Sequence, residues 1–301
     1  MDEVALPAET APKIEPPPPP KDSPSSRELV VLAILLLVSA LCSLPLYRVT
    51  VTVLARRMPL RLRPSGSNEL LFFAAVSAIN LAILFCEGAL GIWAARKSKL
   101  APMPTAEGHP DGGSIRAIVR RGIRIGALCA LISVAMTVPQ LMMYGMGPSH
   151  GVEPIRMSRH MRAMDVMRQM RGWRWIGELF IGAPIREEIE FRLLFVSVVA
   201  WLAGKAVRSD DPSHSRSIKW VAIAASGIAF GLFHIIGGQS VSWWRPMYQQ
   251  VFLDPRTYIG IVLAWTYWSR GIETSLAAHS AMNLILITAT ELIVRLVQVT
   301  A

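Results

Sequence analysis

The chain has 301 residues, of which 52% are hydrophobic and only 17% charged. Soluble domains carry about 25% charged residues, so a wholly soluble protein and a disordered chain are both excluded. Lys and Arg outnumber Asp and Glu by 31 to 21, and no nucleic-acid-binding motif accompanies that excess. In a membrane setting such a balance points to anionic lipid headgroups as partners.

Residues 1–28 form a Pro-rich polar tail with Pro16 to Pro20 consecutive. Such a stretch buries no core and favours extended polyproline conformations. It lacks the basic start and prompt apolar core of a signal peptide. Apolar runs of membrane-spanning length follow. A spanning helix needs about 20 apolar residues, and candidates are 29–46, 69–95, 122–145, 173–204, 218–236, 257–269 and 272–297. The fold expected is therefore all-α, a multi-pass helical membrane protein with seven spans. It has eight if Pro184, which lacks an N–H, breaks the long run 173–204 in two. The run 257–269 is short for a span. Lys and Arg balance between the two sides of this arrangement, so the positive-inside rule assigns no orientation. Cys42, Cys86 and Cys129 each lie within an apolar run, without metal-ligand spacing, and read as inert buried thiols.

Four regions result: the tail 1–28, N-terminal helices over 29–145, a connector over 146–172, and a helical core over 173–297. In the connector, Met157, Met161, Met164 and Met167 fall at helical spacing among Arg156, Arg159, Arg162, Arg168 and Arg171. That pattern predicts an amphipathic helix lying in the membrane interface. Trp243, Trp244 and Tyr248 fit an interfacial aromatic belt.

The chemistry is concentrated in the core. Pro184-Ile185-Arg186-Glu187-Glu188-Ile189-Glu190-Phe191-Arg192 sits between two strongly apolar stretches. Each charge at a bilayer centre costs about 2.5–3.5 kcal/mol, whereas a Leu or Val returns only about 0.3–0.6 kcal/mol. The cluster must therefore be paired inside the bundle, face water, or sit near an interface. Glu188 and Arg192 are four apart and can pair on one face. Glu187 points about 100° away from Glu188. Of six histidines, only His234 and His279 lie in apolar helices. Phe230 stands one turn before His234, and Asn283 one turn after His279. Gly227 and Gly231 form a small-xxx-small step for a close neighbour. Carboxylates, two imidazoles and a carboxamide on three helices are the components of a water-activating site.

Glu187-Glu188-xxx-Arg192, Phe230-xxx-His234 and His279-xxx-Asn283 resemble, in order and placement, the three motifs of the CPBP intramembrane protease family. That family includes the type II CAAX prenyl endopeptidases and bacteriocin-processing or immunity proteins of bacteria. The helix over Tyr258–Thr274, with its Ser-Arg-Gly turn before the His helix, is similar too. The resemblance covers about 173–297. It implies an intramembrane endopeptidase acting on a membrane-associated protein or peptide, of prenylated CAAX or bacteriocin type, and a bacterial plasma membrane as location. Glu187 would activate water, His234 would assist it or bind a metal, and His279 and Asn283 would hold water or the oxyanion. Glu188 and Arg192 would pair structurally, with Phe230 beside them. Glu187, His234 and His279 are also candidate ligands for Zn2+, an open point of the family. Leu193 stands where a Gly commonly follows the motif Arg, and Glu190 where an apolar residue is usual. A non-catalytic adaptor or immunity protein keeping the same fold is the alternative. A proton-coupled transporter is disfavoured, because no pair of broken repeated helices is present.

Overall fold

A computed structural model describes residues 23–46, 51, 68–103, 114–145, 177–209, 211–237 and 247–300. The Pro-rich tail up to residue 22, the Met/Arg connector and Trp243–Trp244 lie outside the described residues. All regular structure among the described residues is helical, as the composition predicts. The chain order is α1 (Ser26–Ser43), α2 (Asn68–Lys97), α3 (Ile115–Gly145), α4, α5 (Arg216–Gly237), α6 (Met247–Leu253), α7 (Pro255–Arg270) and α8 (Ile272–Thr300). Helix α4 is a continuous run of four segments, Glu178–Gly182, Ala183–Glu188, Ile189–Val196 and Ser197–Ala206.

Three of these helices are long and apolar enough to cross a membrane: Ser26–Ser43, Asn68–Lys97 and Arg216–Ile236. On α1, Val30, Ile34, Leu37 and Leu41 are exposed while Leu32, Leu36 and Ser39 are buried. That is an apolar outer stripe opposite a packed inner one, as lipid contact requires. Helix α7 is as short as the sequence suggests, with 16 residues.

Helix α1 begins at Ser26, three residues before the expected span. A reciprocal capping box sets this start: the Ser25 hydroxyl accepts the Glu28 N–H at 3.3 Å, and the Glu28 carboxylate accepts the Ser25 N–H at 2.7 Å. The same buried carboxylate meets Arg96 in the last turn of α2 at 2.7 Å. An anion at one helix start and a cation at the neighbouring helix end each complement a helix dipole.

One expectation is corrected at Pro184. The proline does not break or restart the helix. Gly182 and Ala183 both keep right-handed helical angles, and α4 passes through. The turn before Pro184 is widened: the Ala183 N–H bonds to the Glu178 carbonyl, five residues back. Such π-turns let a helix absorb a local mismatch and are frequent at functional sites. A second widened stretch, Ile189–Val196, follows the charged motif.

Among the described residues, two apolar clusters hold the bundle. One joins Leu32 and Leu36 of α1, Leu84 and Ile92 of α2, and Ile185, Ile189 and Leu193 of α4. The other joins Cys129 of α3, Phe191 of α4, Phe230 of α5, Leu263 of α7 and Met282 of α8. Of the three thiols only Cys129 is buried in the protein; Cys42 is half-buried and Cys86 exposed. Close approach is set by missing side chains. A Cβ on Gly231 would stand 2.0 Å from the Thr257 hydroxyl, so the Gly227/Gly231 step does seat a neighbour, α7. Gly122 and Gly126 of α3 do the same for Ala277–Ala281 of α8. A Cβ on Gly91 would stand 2.4 Å from the backbone oxygen of Leu193, whereas one on Gly88 would meet only the tip of Leu32.

That difference gives a test. Backbone cannot yield as a leucine tip can, so Gly91→Ala is expected to destabilise by about 1–3 kcal/mol and Gly88→Ala by less. Thermal unfolding of both variants in detergent checks the order, and equal midpoints would refute it.

Candidate active site

Three helices bring the motif residues together. Helix α4 carries Glu187, Glu188 and Arg192, α5 carries Phe230 and His234, and α8 carries His279 and Asn283. The site has a buried half and an open half. Glu188 and Arg192 are fully buried and His279 is 2% exposed. The side chains of Glu187 and His234 are 20% and 25% exposed.

The buried half is organised on Glu188. One carboxylate oxygen accepts from His279 Nδ1 at 2.9 Å. The other accepts from the Ser275 hydroxyl at 2.5 Å. Arg192 Nε lies 3.5 Å from Glu188, the i,i+4 ion pair expected from the sequence. The guanidinium sits over the Phe230 ring at 4.5 Å and near the Phe191 ring at 5.9 Å. Its three nitrogens make no hydrogen bond within the structure. The charge is held by the ion pair and two aromatic faces, a cation–π arrangement suited to Arg.

The open half is organised on Glu187. His234 Nε2 lies 3.8 Å from one of its oxygens and His279 Nε2 3.6 Å from the other. The tautomers follow from the far side of each ring. His234 Nδ1 faces the Phe230 carbonyl at 2.9 Å, an acceptor only, so Nδ1 carries the proton. His279 Nδ1 faces the Glu188 carboxylate, so it too carries the proton. In the neutral rings both Nε2 atoms are therefore lone pairs turned toward Glu187. The Phe230 ring lies 4.5 Å from that of His234 and 6.0 Å from that of His279, so it spaces the two imidazoles.

Glu187, Glu188, Arg192, Phe230, His234 and His279 thus form one connected group. Asn283 is placed differently. Its carboxamide donates to the Leu179 carbonyl of α4 at 2.7 Å, on the helix turn before the motif. Among the described residues no three His, Cys, Asp or Glu side chains are arranged to hold a metal ion. Glu187, His234 and His279, the zinc ligand candidates from the sequence, do converge, with Nε2–carboxylate separations of 3.8 Å for His234 and 3.6 Å for His279.

Two further contributors surround the site. Ser275 stands four residues before His279, on the same helical face, and that spacing was the available signal. Its hydroxyl also lies 3.0 Å from the Leu263 carbonyl. The second is the pair Glu178 and Arg186 on α4, in direct contact with each other. Glu178 accepts from Ser43 at 2.8 Å, and Arg186 reaches Ser39 and Ser43 at 3.0 Å each. Glu178 is accordingly a helix contact, and it fixes α1 against the segment carrying Glu187.

Residues 170–285 match the family model described as type II CAAX prenyl endopeptidase Rce1-like. No curated protein and no solved structure matches the chain. All three motifs fall inside the matched segment and meet in one site, and this similarity to the Rce1-like CAAX proteases supports the family resemblance read from the motifs.

Proposed function

We propose that the protein is an intramembrane endopeptidase that hydrolyses a peptide bond of a membrane-associated substrate, of prenylated CAAX or bacteriocin type, in a bacterial plasma membrane. The observation that carries this reading is the convergence of two Nε2 atoms on the partly exposed carboxylate of Glu187.

Water entering the open half meets two acceptors, Glu187 and neutral His234. Each accepts a hydrogen bond from the water, which leaves an oxygen lone pair for the substrate carbonyl. As the O–C bond forms, Glu187 takes the proton. It then passes this proton to the leaving amine as the C–N bond breaks, which closes the acid–base cycle. When protonated, His279 turns Nε2 into a donor for the oxyanion. The Glu188 carboxylate, fixed by Ser275, supports that imidazolium from Nδ1. Phe230 and Arg192 keep the back of the site dry.

Three outcomes are expected. Glu187→Ala and His234→Ala should each lower cleavage by about 10²–10⁴-fold without loss of the folded protein. The check compares new peptide C-termini in membranes holding wild-type protein or Glu187→Ala at matched abundance. Identical termini would sink the protease reading in favour of a non-catalytic adaptor.

Ser275→Ala should weaken the hold on His279 and cut kcat by about tenfold, roughly the worth of one hydrogen bond to a charged group, with KM little changed. A rise in KM alone would place Ser275 outside this chain of contacts. Cleavage should persist after extraction with EDTA and phenanthroline. Activity that is lost on chelation and restored by zinc would instead make Glu187, His234 and His279 ligands of a catalytic ion.

A further inference from the structure

Helix α4 has a gap in its backbone bonding one turn before the catalytic glutamate. In the widened turn the Ala183 N–H bonds to the Glu178 carbonyl. The next bond in that register would run from residue 184 to the Leu179 carbonyl. Residue 184 is proline and has no N–H to give. The Leu179 carbonyl would then be left without its helical partner inside a membrane protein, where backbone groups must be satisfied internally. The Asn283 carboxamide donates to that oxygen at 2.7 Å.

We propose that Asn283 is a positioning residue that replaces the hydrogen-bond donor missing at Pro184, and so locks the turn before Glu187 to the helix that carries His279. Asn283 and His279 are one turn apart on α8. The first binds α4 at Leu179 and the second at Glu188. One rigid stretch of α8 therefore grips α4 on both sides of the catalytic turn. From the opposite side Ser39 of α1 donates to the Gly182 carbonyl at 3.0 Å. The π-turn is held from both neighbours, and Glu187 is placed by backbone contacts that its own side chain does not make. Asn283 thus acts on the reaction through Glu187, without touching the reacting atoms. Reading this through activity rests on the proposed protease function; reading it through backbone exchange does not.

The test is a rescue. Pro184→Ala returns an N–H to residue 184, which can bond to Leu179 in the register that Ala183 already uses. Four full-length proteins in lipid nanodiscs are compared: wild type, Asn283→Ala, Pro184→Ala and the double variant. Hydrogen–deuterium exchange over residues 185–190 and the kcat and KM of cleavage are the readouts.

Asn283→Ala should raise exchange by about tenfold and lower kcat by about tenfold, the scale of one lost hydrogen bond to a buried carbonyl, with KM little changed. Pro184→Ala alone should leave both near wild type. The double variant should recover most of each loss. Should Asn283→Ala not accumulate, Asn283→Asp, of the same size but without the carboxamide donors, takes its place with the same expectation.

Unchanged exchange in the single variant, or a kcat loss that Pro184→Ala fails to restore, would overturn the proposal and return Asn283 to direct contact with the oxyanion. If wild type cleaves nothing, the functional reading fails while the exchange comparison still decides the role of Asn283.

Discussion

Two ionised side chains with no access to water must neutralise each other. Glu188 and Arg192 are fully buried, and the surrounding arrangement answers that constraint. Breaking a buried pair by removing one partner leaves an uncompensated charge and is strongly destabilising. Each remaining polar valence of Glu188 is therefore filled, by His279 on one oxygen and Ser275 on the other. Arg192 is contained by Phe191 and Phe230. The helices carrying these partners, α5 and α8, cannot slide or rotate without exposing a charge. That rigidity fixes the ring of His279, with Nδ1 on Glu188 and Nε2 toward Glu187.

The charged motif was legible in the sequence because membrane-embedded charge is costly and so demands an explanation. Glu187, Glu188, Arg192, His234 and His279 stand out against apolar text for that reason, and the structure gathers them. The all-α fold followed from the same composition. Ser275 was hidden because serine in an apolar helix carries no penalty that marks it; a hydroxyl can satisfy itself on its own helix. Pro184 was misread for a related reason. Its missing N–H predicts a break only if nothing else supplies the donor, and the donor is Asn283, about a hundred residues further along the chain. Local sequence cannot report a bond of that range.

Leu193 shows the same limit from another side. The resemblance leads one to expect a small residue after Arg192, for close helix approach, and its absence looks like a departure. Close approach at Leu193 is allowed by the facing helix, where Gly91 stands against its backbone. Helix packing needs one small residue per contact, and which partner provides it is a property of the pair.

The ion pair between Glu28 and Arg96 carries a consequence for sidedness. It places the start of α1 beside the end of α2. Lys99 then lies 3.6 Å from Asp211, between α4 and α5. The Ile272 N–H at the start of α8, beyond the Gly271 turn with φ 79°, donates to the Pro102 carbonyl at 3.0 Å. The start of α1 and three chain reversals are thereby tied into one polar cap at one end of the bundle. Segments held together in this way face the same direction, so a single tag or label on any of them reports for all of them.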